Sequence, residues 1–257
     1  MLLTIDIGNT NITLGLYKGK ELGPRWRLAT AYDHMPDEYG LQLLGLLEHA
    51  GYAPVDVEAI CMASVVPPIT GRILEACKRY LNKDPLVVDA GIKTGVRVRY
   101  EDPRAVGADR IVDAVAVVHL YGTPACVVDF GTATTFDAIS KNGDYLGGAI
   151  APGIGIAAEA LFQRTAKLPR VDIQKPPSVI GRNTVHSMQS GLLYGYVGLV
   201  EGMVGRFRQE LGGDMKVIGT GGLADIVAQE TGVIQIVAPW LTLDGLQIIW
   251  ELNKPDD

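Results

Sequence analysis

TIDIGNTNITL at residues 4–14 and VVDFGTATTFD at residues 127–137 are two versions of one pattern. Each is an apolar strand that ends in Asp-x-Gly, passes a short polar patch and enters a second, alternating strand. The patches are Asn9-Thr10-Asn11 and Thr132-Ala133-Thr134, and Gly8 and Gly131 stand 123 residues apart in a chain of 257. A single such turn is ordinary, because Asp and Gly are common turn residues, and two unrelated hairpins are the plain alternative. Two copies in matched strand–turn–strand settings at half-chain spacing point to a duplicated domain.

The turn itself carries chemistry. A strand that ends in a tight turn can aim backbone N–H groups at a phosphate, and Gly8 lets that phosphate approach with no Cβ in the way. Asn9, Thr10 and Asn11 add neutral donors, and Asp6 can hold Mg²⁺ directly or through water. No Gly-Lys-Ser/Thr follows, so this is not a Walker A loop. The partner turn, Asp129-Phe130-Gly131-Thr132-Ala133-Thr134, makes a second phosphate-grade element. Two facing turns imply a cleft between the duplicated halves.

Composition narrows the classes. Apolar residues make up 47% of the chain, ample for a core, and charged residues 20%. The formal charge of −6 disfavours a nucleic-acid role, which needs clustered Lys and Arg. No apolar run reaches the roughly 18–20 residues of a membrane span. The start, MLLTIDIGNT, lacks a basic segment and is expected not to be a secretory signal. Cys61, Cys77 and Cys126 form no C-x-x-C pair and read as buried, inert thiols in a reducing cytoplasm. His34, His49, His119 and His186 match no zinc spacing, and Ser190 lies outside a G-x-S-x-G elbow.

Periodicity predicts two α/β halves. In the first, strands are expected at Leu2–Ile7, Ile12–Tyr17, Trp26–Thr30, Ala59–Val65, Leu86–Val88 and Val96–Tyr100. Helices are expected at Asp37–Ala50, Ile69–Leu81 and from Gly107 to about Leu120. The second half is expected to carry strands at Ala125–Asp129, Thr135–Ser140, Tyr145–Ile150, Lys216–Gly219 and Ile234–Val237. Its helices are expected at Ile154–Thr165, Thr184–Leu211, Leu223–Glu230 and Leu241–Leu252. The longest helix follows Pro176-Pro177 and carries Gly191, Gly195, Gly198, Gly202 and Gly205 on one face. Such a face serves close packing within one subunit or an interface between two.

Gly107-Ala108-Asp109-Arg110 lies at a helix start. Asp109 there is either a cap or a base that accepts a proton from a substrate hydroxyl while Arg110 holds an anionic group. Phosphoryl transfer needs such a base or positioning group and cations near the transferring phosphate. Gly147-Gly148-Ala149-Ile150-Ala151-Pro152-Gly153 and Thr220-Gly221-Gly222 lead strands into helices, where bare backbone can approach a ligand. The residues alone therefore give a two-lobed, ATP-dependent phosphotransferase acting on a small anionic alcohol.

The duplicated turns resemble the actin, sugar-kinase and Hsp70 ATPase superfamily. More narrowly, DIGNTN at 6–11, Tyr100 with GADR at 107–110, DFGTATT at 129–135, GGAIAPG at 147–153 and IGRNTVHSMQSGLLYGYVGLVEG at 180–202 resemble bacterial type III pantothenate kinases. The resemblance runs from Asp6 through TGGLA at 220–224. It implies an α/β chain of two duplicated actin-like (ribonuclease H-like) domains, residues 1–118 and 119–257. It implies ATP-dependent phosphorylation of pantothenate to 4′-phosphopantothenate, the first step of coenzyme A synthesis. Asp6, Ile7, Gly8, Asn9, Thr10, Asn11, Ile12 and Thr13 would lie under the ATP phosphates, with Thr132 contacting ATP from the second turn. Asp109 would accept the proton of the pantothenate hydroxyl, and Tyr100 with Gly107, Ala108, Asp109 and Arg110 would line the pantothenate pocket. Asp129 would bind a monovalent cation, K⁺ or NH₄⁺, and Thr184 would reach pantothenate from the other subunit of a cytoplasmic homodimer. A sugar kinase, a phosphoanhydride hydrolase, a nucleotide-binding repressor and an actin-like filament subunit are the competing readings. Inserted subdomains or a leading DNA-binding segment would mark them.

Overall fold

The first Asp-x-Gly turn joins β1 (Leu2–Ile7) to β2 (Asn11–Lys18) as an antiparallel hairpin with Asp6 opposite Thr13. The computed structural model describes residues 1–89 and 91–254. The chain continues through β3 (Glu21–Ala29), α1 (Pro36–His49), β4 (Ala59–Ser64), α2 (Pro67–Ala76), β5 (Leu86–Val87) and α3 (Ala108–Leu120). The second hairpin is β6 (Ala125–Phe130) with β7 (Ala133–Ile139), followed by β8 (Tyr145–Pro152), α4 (Ile154–Arg164) and α5 (Thr184–Leu211). Then come β9 (Lys216–Gly221), α6 (Ala224–Ala228), β10 (Ile236–Val237) and α7 (Leu241–Asn253).

The two sheets share one wiring. The first runs β3-β2-β1-β4-β5 and the second β8-β7-β6-β9-β10. In each, three antiparallel strands are followed by a parallel crossover onto the first strand of the hairpin. β1 and β6 lie 123 residues apart end for end. The second turn is one residue tighter: Ile7 pairs with Ile12, but Phe130 pairs with Thr134. The sequence echo is thus a structural duplication of two actin-like domains.

Two compact units form. One holds Met1–Val96, Glu101–Ala116 and the chain from Leu241; the other holds Arg97–Tyr100 and Val117–Trp240. In the first, Leu3, Ile5, Ile7, Leu14 and Ile60 pack against Tyr39, Leu43, Ile69 and Ile73 from α1 and α2. Each such side chain contributes about 1.5–3 kcal/mol on burial. The same unit takes α7 against β1, β2 and β4, with Leu243 set against the bare backbone of Gly15. In the second unit Cys126, Val128, Phe130 and Phe136 pack on Leu193, Val197, Val200 and Val204 of α5.

Three local readings change. β3 begins at Glu21 rather than Trp26. Pro24 is tolerated because β3 is an edge strand with no outer ladder to complete. Pro67 and Pro68 open α2, in the first turn where a missing N–H costs nothing. Val96–Tyr100 is not a strand of the first half; it touches the start of β8 by a single parallel bridge, Val98 to Tyr145. The halves at 118/119 and the packed units are accordingly different divisions of the chain. α7 follows the second copy in sequence but packs in the first unit.

Candidate active site

β1 ends its apolar run at Ile7, and the chain turns at once through Gly8, Asn9 and Thr10. Gly8 N–H donates to Asn11 O at 2.9 Å, closing the turn. Asn9, Thr10 and Asn11 are exposed; Asp6, Gly8 and Thr13 are half-buried, and Ile7 and Ile12 point into the core. Ile7 and Ile12 therefore shape the turn through packing, and only its backbone can face a ligand at those positions. A Cβ on Gly8 would lie 3.1 Å from Asn11 O, so the bare backbone keeps the turn tight.

Gly107–Arg110 is set at the same end of the first sheet. Val65, just past β4, donates its N–H to Ile7 O at 3.0 Å, and its side chain lies 3.4 Å from where a Cβ on Gly107 would sit. Asp109 is in the first turn of α3 and half-buried. Its Oδ1 accepts the Arg110 N–H at 2.8 Å and lies 2.5 Å from the position of a Gly107 Cβ. Only glycine at 107 leaves the carboxylate that place. Asp6, Gly8 and the Gly107–Arg110 turn are thus brought together within one unit.

The second unit builds the matching turn. Gly131 N–H donates to Ala133 O at 3.0 Å, and Thr132 is exposed. Asp129 ends the buried run of β6 with its carboxylate between two glycines. A Cβ on Gly131 would lie 3.3 Å from Asp129 Oδ2, and one on Gly221 would collide with Oδ1. Gly221 also has φ +88°, a left-handed value that favours glycine. Tyr100 reaches this unit because Arg99 N–H donates to Tyr145 O at 2.8 Å and Tyr145 N–H to Arg97 O at 2.9 Å. Its ring lies over Gly147, where a Cβ would come within 3.1 Å of the ring carbons. The Arg99–Asp144 ion pair at 3.1 Å pins the same segment.

Thr184 is the first residue of α5 and exposed, behind Asn183, whose Oδ1 accepts the His186 N–H at 2.8 Å. A Cβ added to Gly191, Gly195, Gly198 or Gly205 would meet nothing within 4 Å, while Met188, Leu192, Val197 and Val204 on the other face are buried. Nothing among the described residues packs on these four glycines. Among the described residues no group of three or more His, Cys, Asp or Glu side chains could hold a metal ion, and no helix is long and apolar enough to cross a membrane.

Sequence reasoning missed Thr30, Tyr32 and Arg72. Thr30 Oγ1 donates to Gly8 O at 2.6 Å, and Tyr32 OH lies 3.3 Å from Asn9 Oδ1. Arg72 Nη1 donates to the carbonyls of Tyr32 and His34 at 2.6 and 2.8 Å. For Thr30 and Tyr32 the available signal was their place directly after β3, at the end of the sheet that carries the turn.

Paired sheets of identical wiring with repeated Asp-x-Gly turns define the actin-like ATPase fold. Solved structures agree. A protein described as a Baf family transcriptional activator from Campylobacter jejuni superposes with a TM-score of 0.63 at 20% identity over 98% of each chain. The activator of the 2-hydroxyisocaproyl-CoA dehydratase from Clostridium difficile, with bound ADPNP, gives 0.53 at 12% identity over 98% of this chain and 96% of its own. The sequence profile of the family described as type III pantothenate kinase matches residues 2–206. A type III pantothenate kinase from Moorella thermoacetica is 54% identical over 253 residues, 98% of this chain and all of that protein. The chain belongs to the type III pantothenate kinase family. Its activity is accordingly the ATP-dependent phosphorylation of pantothenate, which opens coenzyme A synthesis, with a divalent metal accompanying ATP.

Proposed function

We propose that the residues of the two turns and of Gly107–Arg110 divide this reaction among them. Asp6, Ile7, Gly8, Asn9, Thr10, Asn11, Ile12 and Thr13 hold the ATP phosphates, and Thr132 contacts ATP from the second turn. Tyr100, Gly107, Ala108, Asp109 and Arg110 form the pantothenate site. Asp109 takes the proton of the primary hydroxyl as its oxygen bonds to the γ-phosphorus and the bond to the bridging oxygen of ADP breaks. The supporting observation is that the first turn and Gly107–Arg110 share one end of one sheet, joined through Val65 and Ile7.

Asp6 is the candidate ligand for Mg²⁺, directly or through water; the ion offsets charge on the phosphates. The Asp129 carboxylate fits a monovalent cation, K⁺ or NH₄⁺. It is a hard oxygen donor at a strand end, in a space that Cβ atoms on Gly131 and Gly221 would fill. A second chain completes the site with Thr184, the glycine face of α5 forming the two-fold contact; open space over four glycines supports this reading. Residues 1–118 and 119–257 are the two copies of the duplication. A cytoplasmic setting fits the three buried free thiols, of which Cys61 and Cys77 have their pKa pushed up to about 12 by burial.

Subunit mixing tests the assignment. Asp109→Asn and Thr184→Trp should each lose nearly all activity alone; in a mixed dimer one site carries both lesions and the other neither. Random pairing makes about half the dimers mixed, so about a quarter of wild-type activity returns. Exchange confirmed by mass with no recovered activity would place both residues in one chain's site.

A further inference from the structure

Two carbonyls of the first phosphate turn are taken by Thr30, and a third lies near Tyr32 of the same short segment. Gly8 O accepts from Thr30 Oγ1 at 2.6 Å, Thr10 O from Thr30 N–H at 3.0 Å, and Asn9 O lies 3.5 Å from Tyr32 OH. A carbonyl oxygen is the one backbone group that repels an anion, and those of Gly8 and Thr10 are occupied from this side. The segment is itself held: Tyr39 OH donates to Ala31 O at 2.7 Å, and Arg72 donates to the carbonyls at 32 and 34.

The second copy repeats the device. Thr30 follows β3 and Gly153 follows β8, and the two stand 123 residues apart, the same spacing as the turns they serve. Gly153 N–H donates to Thr132 O at 3.1 Å, as Thr30 N–H does to Thr10 O. Gly153 has no hydroxyl to offer. Its backbone instead presses so close that a Cβ would lie 2.6 Å from Gly131 O and collide with Thr132 O. A shared hydrogen bond at an equivalent position in both copies, served by different side chains, marks a requirement of the turn rather than an accident of one loop.

We infer that Thr30 and Gly153 are positioning residues for ATP: each turns the carbonyls of its phosphate turn away from the anion before the nucleotide binds. The inference rests on the reading of the Gly8–Thr10 turn as a phosphate site. Such preorganisation acts on nucleotide affinity, because free enzyme and complex then share one turn conformation.

Thr30→Val keeps the backbone N–H and the β-branched shape but removes the hydroxyl donor to Gly8 O. The KM for ATP rises about 5- to 10-fold, the effect of one lost hydrogen bond on an equilibrium, while the KM for pantothenate and kcat stay within twofold. Thr30→Ser, which restores the donor, returns the KM for ATP towards wild type. A purely structural hydroxyl would lower the melting temperature of Thr30→Val and leave the KM for ATP of the folded enzyme unchanged; that result overturns the inference. Gly8→Ala, measured alongside, separates the two levels. If it weakens ATP while Thr30→Val does not, the turn binds phosphate and Thr30 has no part in it. If neither variant changes the KM for ATP, the phosphate reading of the turn falls, and the inference with it.

Discussion

Replacing Gly195 and Gly198 of α5 together by alanine separates a face that binds a second chain from one that meets only water. Both positions have open space within the chain, so the methyl groups meet no atom of their own subunit. Ala exceeds Gly in a helix interior by about 0.8–1.0 kcal/mol, and the pair would stabilise an isolated chain by about 2 kcal/mol. For a chain of this size that is roughly a 4–8 °C rise in melting temperature, at 2–4 °C per kcal/mol. A two-fold contact reverses the sign. Each protomer brings two added methyl groups to the same narrow seam, and overpacking costs about 1–3 kcal/mol per site. The expected result, by sedimentation and assay across protein concentrations, is a weakened dimer whose activity falls on dilution while helical content stays intact. Unchanged mass and activity together with the full rise in melting temperature would refute the reasoning and leave the glycine face unexplained.

Activity measured in Na⁺ or Tris should rise severalfold on adding K⁺ or NH₄⁺, with the response lost in Asp129→Ala, if the carboxylate between Gly131 and Gly221 holds the proposed cation; equal rates in all buffers would remove the cation from the site. Tyr17 OH donates to Asp244 Oδ1 at 2.6 Å, and burial, then that hydrogen bond, raises the phenol above its ordinary 10.0. A raised phenol stabilises the fold fully below pH 10 and loses that contribution as pH climbs above 10, so wild type should lose stability more steeply there than Tyr17→Phe in denaturant titrations. At pH 7 Tyr17→Phe should cost about 1.5–3 kcal/mol, the range for a hydrogen bond to a charged group. Gly245→Ala would press a methyl group onto Val112 O of α3 and within 2.6 Å of Val112 Cγ1. It should lower stability by about 1–3 kcal/mol despite the better helix propensity, as thermal unfolding would show.

The hairpins were legible because each Asp-x-Gly sits at a change from a solid apolar run to an alternating one, a local signal. Sheet edges were less so. Pro24 hid the first residues of β3, since a proline is excluded from a central strand but not from an edge, and the sequence does not say which a strand is. Val96–Tyr100 read as a strand, yet its partner is Tyr145, almost fifty residues on, so only the folded chain shows that it docks beside β8. The packing of α7 in the first unit sets Leu243 against Gly15, a fit between residues more than 220 apart. Within the candidate site, Asp109 and Thr132 are proposed from motif and family resemblance. Gly153 was singled out only as bare backbone before a helix, and Thr30 was missed because a threonine at a strand end is too common to mark a contact with a turn some twenty residues earlier. Carrying the 123-residue spacing past the turns to the ends of the third strands would have paired Thr30 with Gly153.

The most direct test of the account is pantothenate-dependent ADP release by wild type and Asp109→Asn, with the KM for ATP measured in both. The arrangement at the end of the first sheet predicts ADP release that depends on pantothenate in wild type. In the variant, turnover should fall about 10²–10⁴-fold, the range for a lost general base, with the KM for ATP little changed. Near-normal turnover in a folded Asp109→Asn enzyme would reduce Asp109 to a helix cap and contradict the site proposed for phosphoryl transfer.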